Sequence, residues 1–382
     1  MEIFNIWDLE RVHIRINESF LDRINKGIHL KFGNKAKCYY SLFESNELSY
    51  STFKNILKKS TMRYFFIPLD VCLKVVDALQ ISRQEFQSNI LAYKTAGGPN
   101  FIDSPILPIV ITPVFHMLFA HNIGDGTVIN PKNGRLPYFG YRQFDEFYRV
   151  AYVRKIESIF GKINYKNNNY YLKSTRPYCP PVLSSLFFKY YNVRMEDFLS
   201  TEARIPNFIL NQDKEEILSI LIGFIIDEGY IDSTQITIGL KNKLLIEDLG
   251  KICSVLGYNY TVSHTEKKDY IDYGYLSILR KGMKSLYSDY LLLNKKYPVI
   301  DLGWKGERIL KSFKIYNRPI KKTKGNQNMI YSILQNEFLS VNQLADRISM
   351  TRQGVRYHIH NLLKQGKIKL IDDSQLNWLY GA

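Results

Sequence analysis

Ile217-Leu218-Ser219-Ile220-Leu221-Ile222-Gly223-Phe224-Ile225-Ile226-Asp227-Glu228-Gly229 is an almost unbroken apolar run that stops at two acids and a glycine. It falls short of the roughly 20 residues a membrane span needs. A helix this apolar all round belongs inside a protein core. The chain holds a second copy: Pro113-Val114-Phe115-His116-Met117-Leu118-Phe119-Ala120-His121-Asn122-Ile123-Gly124-Asp125-Gly126 also ends in acid-glycine.

Working outward, each copy is followed by a predicted strand hairpin, the first turned at Asn133-Gly134, a dipeptide suited to a type I′ turn. Both hairpins close on glycine, any residue, basic, amide: Gly140-Tyr141-Arg142-Gln143 and Gly239-Leu240-Lys241-Asn242. A helix comes next, ending at Phe160-Gly161 and at Leu256-Gly257. Further strand pairs, containing Tyr170 to Ser174 and Tyr275 to Arg280, lead into a third helix. The pattern is αββαββα, twice, and self-similarity on this scale decides the fold before any local propensity does.

A carboxylate at a helix C-terminus faces the negative end of the macrodipole. Its placement there in both copies calls for a reason. The following glycine reads as a left-handed cap. If the two helices pack together, with Ala120 and Gly223 permitting close approach, Asp125 and Glu228 converge on one pocket. Oxygen ligands of that kind suit Mg²⁺, which binds through one or two carboxylates plus waters and phosphate. Such a layout serves metal-assisted phosphodiester hydrolysis.

The 382 residues carry 52 Lys and Arg against 36 Asp and Glu, a net charge of +16, with 45% hydrophobic residues. That balance favours a polyanionic partner, and duplex DNA is the expectation. No membrane-spanning run and no secretory signal are evident, so a cytoplasmic protein is expected. Cys38, Cys72, Cys179 and Cys253 have no zinc-like spacing and read as buried thiols. A Gly97-Gly98-Pro99 break predicts a boundary near residue 100, after a bundle of short helices with a helix-turn-helix. Within it Phe53, Ile56 and Leu57 would face inward, and Thr52, Asn55 and Lys58 would face DNA. Beyond Lys305 to Lys324, read as a basic phosphate-tracking linker, residues 326–382 give three helices and two strand-like runs, a winged helix-turn-helix. Its third helix offers Arg352, Gln353, Arg356 and Tyr357 to base edges.

Leu221 to Gly229 closely resembles the nine-residue motif of the LAGLIDADG homing endonucleases, in their single-chain two-repeat form, and Leu118 to Gly126 resembles it more loosely. The likeness covers roughly residues 105–315, and Arg204-Ile205-Pro206-Asn207-Phe208-Ile209 is similar to a linking phrase of archaeal members. The resemblance implies that Asp125 and Glu228 bind Mg²⁺ and support cleavage of the two DNA strands. It implies saddle-shaped sheets in the major groove, with Arg142, Gln143, Lys241 and Asn242 near the DNA. Lys173 and Arg280, with Arg142 and Lys241 as further candidates, would assist the chemistry. His121 and Asn122 replace apolar positions of the motif, and Asp227 is a second candidate ligand beside Glu228. Intein splicing residues are missing, so a free-standing protein is expected, a monomer because the internal repeat replaces a dimer.

The expected fold is therefore α+β: residues 1–98 a helical helix-turn-helix domain, 105–200 and 201–315 the two pseudo-symmetric repeats, 326–382 the winged helix. The expected activity is site-specific, Mg-dependent cleavage of double-stranded DNA. The alternative is a domesticated, catalytically inactive transcription regulator, resembling bacterial sporulation-type regulators that join such a domain to a helix-turn-helix. An RNA-splicing maturase is a third reading, disfavoured by the winged helix.

Overall fold

The computed structural model describes residues 2–44, 46–58, 66–98, 100–131, 135–165, 176–199, 203–265, 273–316, 325–372 and 379–381. The chain begins with β1 (Ile3–Phe4), β2 (Val12–Ile16), α1 (Glu18–Phe32), α2 (Lys35–Leu42), α3 (Tyr50–Ile56), β3 (Ile67–Pro68), α4 (Leu69–Ala78), α5 (Arg83–Ser88), β4 (Ile90–Thr95), β5 (Phe101–Asp103) and β6 (Ile109–Val110). The first unit follows as α6 (Pro113–Ile123), β7 (Gly126–Ile129), β8 (Tyr138–Tyr141), α7 (Glu146–Phe160), β9 (Lys162–Asn164) and α8 (Pro181–Tyr191), then the short α9 (Met195–Leu199). The second is α10 (Lys214–Glu228), β10 (Gly229–Ile231), β11 (Gln235–Leu240), α11 (Lys243–Val255), β12 (Tyr260–His264), β13 (Gly274–Leu279) and α12 (Arg280–Lys296), followed by α13 (Trp304–Tyr316).

The second unit has the expected αββαββα order, with an antiparallel sheet arranged β10-β11-β13-β12. Its strands alternate buried and half-exposed residues, Ile236, Ile238, Leu276 and Ile278 pointing into the helix layer. In the first unit β7 and β8 form the hairpin, and Tyr178 bridges Gly140 on its far side. The turn at Asn133-Gly134 and the strand expected at Tyr170 to Ser174 lie outside the described residues.

The N-terminal region differs from a helical bundle. Val12-His13-Ile14-Arg15-Ile16 alternates buried and half-exposed positions and forms the second strand of a five-stranded antiparallel sheet, β3-β2-β4-β5-β9. The boundary expected near residue 100 falls between two strands that pair, Ala92 with Asp103 and Tyr93 with Ile102. β9, from the first unit, completes that sheet through Phe101 and Asn164. One apolar cluster runs accordingly from Ile6 to Ile309.

Residues 326–381 pack around a core of their own, including Leu334, Leu344, Val355, Ile359 and Leu362. There α14 (Asn326–Leu334), α15 (Val341–Ile348) and α16 (Arg352–Lys364) accompany β14 (Leu339–Ser340), β15 (Lys369–Asp372) and β16 (Leu379–Gly381), in sheet order β14-β16-β15. Ser340 opens α15 with a capping box, and the Thr351 hydroxyl accepts from Gly354 N at the start of α16. No helix among the described residues is long and apolar enough to cross a membrane.

Candidate active site

The two motif helices, α6 and α10, pack against each other along their length, and both are buried on all sides. Their crossing is set by backbone proximity. A Cβ built on Gly223 would stand 2.7 Å from the Ala120 Cβ and 3.3 Å from the Met117 carbonyl oxygen. The small pair named from sequence is thus the contact point.

Glu228 is the last residue of α10, whereas α6 stops at Ile123 and Asp125 lies two residues beyond it. Neither motif glycine is a left-handed cap. Gly229 has φ −73°, and Gly126 is outside the positive-φ set. Both are required by close approach instead: a Cβ on Gly126 would meet the Asn122 carbonyl oxygen at 1.9 Å, and one on Gly229 the Ile225 oxygen at 2.5 Å. The chain turns from helix directly into strand, so any side chain there strikes the last helical turn. Positive φ is found instead at Gly161 and Gly257, at the ends of the second helices.

Asp227, whose side chain is fully buried, accepts from the Tyr141 hydroxyl at 2.7 Å and lies 3.0 Å from His121 Nδ1. Burial holds the His121 pKa below its usual value, with the Asp227 charge opposing. Since a carboxylate only accepts, His121 donates its Nδ1–H as the neutral ring. Asn122 takes the Tyr152 hydroxyl at 2.8 Å, and the Tyr141 and Tyr152 rings stack at 4.5 Å. The polar residues of the looser motif therefore form a network with the second motif. Gly124 makes room for it: a Cβ there would lie 2.9 Å from Asp227 Oδ2.

Asp125 is pushed up to about 7, first by burial and then by the charges of Asp227 and Glu228. Glu228 is raised for the same two reasons, burial and Asp227. Lys305, on α13, opposes both shifts. Its Nζ donates to the carbonyls of Ile225 and Ile226, at 2.9 and 2.6 Å, and so caps the end of α10. Burial pulls its own pKa down to about 8 against the pull of Asp227, Asp125 and Glu228. The segment read as a phosphate-tracking linker therefore begins as a helix whose first lysine turns inward.

Gln143 donates to Asp125 Oδ2 at 2.9 Å, while its oxygen accepts from Phe144 N at 3.0 Å. Arg149, buried on α7, steadies that loop through the Gln143 carbonyl at 3.1 Å. Asn242 accepts from Leu245 N and donates to Ala203 O, so it is a helix cap. Both motif amides are thus engaged within the chain. The basic residues beside them, Arg142 and Lys241, are exposed, and Arg142 lowers the Asp125 pKa. Arg280 opens α12 one residue after Leu279, which pairs with Gln235; Gly229 pairs with Ile238, about 10 Å back along the sheet. Lys173 lies outside the described residues.

Phe53, Ile56 and Leu57 are buried, and Thr52, Asn55 and Lys58 are exposed, as read from the sequence. The Thr52 hydroxyl is 2.8 Å from Ser49 Oγ, part of the α3 cap. Gln353, Arg356 and Tyr357 are exposed on α16, and Arg352 Nη1 reaches the Tyr230 hydroxyl at 3.4 Å. All four cysteines are buried free thiols whose pKa burial raises.

Lys305, Tyr141, Tyr152 and Arg149 were missed in the sequence. The first had a faint signal, as the first lysine of the helix after the second unit. The others act through contacts that no local spacing encodes.

No family model matches the chain, and no curated protein matches it. Among solved structures it is similar to mesophilic variants of the homing endonuclease I-DmoI, at 14% identity and a TM-score of 0.32, over 46% of this chain and 88% of that one. I-DmoI in complex with DNA and Mn gives 15%, 0.30, 44% and 89%. I-DmoI with DNA and Ca gives 15%, 0.32, 47% and 89%. Likeness at this level bears no weight for function, which rests on the residues of the site.

Proposed function

We propose that the chain is a site-specific, Mg²⁺-dependent endonuclease of double-stranded DNA, acting as a monomer. The observation that carries this reading is the meeting of Asp125 and Glu228 at the ends of two packed helices, where the Glu228 charge raises the cost of ionising Asp125 and the Asp227 charge raises that of both. Like charges gathered in a half-buried site call for a cation. Among the described residues no three His, Cys, Asp or Glu side chains form a metal cage. Asp227 is occupied by Tyr141 and His121, which leaves two carboxylates. Two hard oxygen donors suit Mg²⁺, which completes its shell with waters and phosphate.

Asp125 and Glu228 would hold the ion, which supplies charge stabilisation at the attacking and leaving oxygens of the phosphodiester. Gln143 orients Asp125, and Arg142 stands exposed beside it to meet a phosphate. The polar outer faces of the sheets, the exposed residues of α3 and the leading residues of α16 are the proposed DNA contacts, with residues 326–382 acting as a winged helix.

Lys305 favours a second reading, a non-cleaving DNA-binding regulator, because its ammonium already supplies a counter-charge to the acids. One experiment separates the two. Duplexes selected by the wild-type chain are incubated with Mg²⁺, beside Asp125→Asn and Glu228→Gln. The endonuclease reading expects cut ends from wild type and at least a hundredfold slower cutting from each variant, with binding kept. Intact DNA in every lane leaves the regulator; no selected duplex at all overturns both.

A further inference from the structure

The five-stranded sheet that contains β9 has an inner and an outer face, and strand register assigns residues to each. Ile14, Tyr93, Ile102 and Ile163 stand opposite one another across four strands and are buried. The alternate row is Arg15, Ala92, Asp103 and Lys162, and the next is His13, Lys94, Phe101 and Asn164, the step from Lys94 to Phe101 following the same register. These rows face away from the core. Lys162 and Asn164 are exposed; His13, Arg15, Lys94, Phe101 and Asp103 are half-buried, and Ala92, between Arg15 and Asp103, is fully covered.

That outer face is basic. Arg15, Lys94 and Lys162 lie on it against one acid, Asp103, which Arg15 reaches at 3.0 Å across the small Ala92. Phe66 folds onto the face, its ring 5.3 Å from that of Phe101, with Lys94 Nζ 4.7 Å from its centre and the Arg15 guanidinium 5.7 Å. Asp70 is the other acid that acts on His13, whose pKa is lowered chiefly by burial and by Lys94.

β9 joins this sheet to the first unit, whose hairpin β7-β8 forms a sheet of its own. β9 follows α7 as β12 follows α11, so the two strands occupy the same place in their units. Among the described residues β12 is an edge strand with Thr261 to His264 exposed, and Thr261 is in register with Ser277, Thr237 and Tyr230 on the outer side of its sheet. Its counterpart β9 is paired with β5, and four further strands extend the sheet outward from there. Four steps of about 4.8 Å add roughly 19 Å, the rise of about five or six base pairs.

We propose that this outer face, bearing Arg15, Lys94 and Lys162, is a DNA-backbone contact surface that lengthens the recognition site at the first-unit end. The proposal rests on the DNA-binding reading above. It adds a sheet face to the N-terminal contact proposed at the exposed side of α3, and makes the footprint longer on that side than the repeats alone would.

The test uses the full chain, its selected duplex, salt titration and footprinting. Lys94→Gln/Lys162→Gln should make the log–log salt slope shallower by about 1.8, since each lost phosphate contact removes about 0.9. It should also shorten protection by about five base pairs at one end only. Asp103→Asn, which frees Arg15, should tighten binding several-fold and steepen the slope, a gain that misfolding cannot mimic. If the double variant fails to fold, exposed Lys162→Gln and Asp103→Asn decide. Unchanged slope, footprint and affinity in folded variants, with wild type still bound to its duplex, overturn the surface alone; a wild-type chain that selects no duplex overturns the DNA reading and the surface with it.

Discussion

Gly124 and Asp227 hold the same position in the two motifs, one residue before each acid, and their difference makes the two carboxylates unequal. The missing side chain at Gly124 leaves space that Asp227 fills, so three acids crowd one site and Lys305 answers them. Asp125 carries the largest consequence. Its proton affinity rises from the ordinary value near 3.8 to about 7 in the folded chain, so folding takes up a proton between those values. Metal-free stability should therefore fall as pH climbs from about 4 to about 7 and stay low above that. Asp125→Asn removes the cost. In chelating buffer it should raise stability by about 2 kcal/mol at pH 8, discounted for partial exposure, and by little at pH 4. Chemical denaturation at the two pH values measures this; a variant less stable than wild type at pH 8 would refute the crowding of these acids. The convergence of Asp125 and Glu228 was legible in the sequence because two repeated motifs imply a pseudo-dyad. Lys305 was not, since its contacts with Ile225 and Ile226 span about 80 positions of chain and depend on where α13 lands.

At the scale of elements, the α6–α10 contact depends on one missing side chain. Gly223→Ala would set two methyl groups 2.7 Å apart, so the helices must separate, at about 1–3 kcal/mol. Ala120→Gly costs about 1 kcal/mol alone as a helix-interior glycine. Together the two should be more stable than Gly223→Ala by itself, because the second change returns the space. Strict additivity in a double-mutant cycle would mean the helices do not meet there. The second unit was read correctly to the level of its strands because each hairpin pairs with its neighbour. The N-terminal strands were harder: β2 shows the alternation of a half-buried strand, but its partners β3 and β4 lie far along the chain, and the nearby helices dominated the local pattern. Glycine caps misled for a related reason, since acid-glycine at a helix end has the same appearance whether φ is positive or the backbone needs room.

At the scale of the whole molecule, the repeats sit between two unlike additions, and each leaves its mark at a different end. The N-terminal sheet grows from β9 in the first unit, while α16 of the C-terminal module approaches β10 of the second, where Arg352 reaches Tyr230 two residues past Glu228. A second tie between the module and the body is the exposed Lys311–Asp346 pair, worth at most about 1 kcal/mol. On the DNA-binding reading proposed above, DNA contacts add to these exposed ties in positioning the module. Arg352→Ala/Arg356→Ala should therefore weaken binding, make the salt slope shallower by about 1.8 and trim protection at the second-unit end. Cutting of saturated DNA should stay within about threefold of wild type, because neither arginine is among the charges that shift Asp125 or Glu228. Footprints of this variant and of the Lys94/Lys162 variant should shorten from opposite ends, and a combined variant should lose both margins. Loss at the same end from both would place the module over the first unit and reverse the assignment of ends.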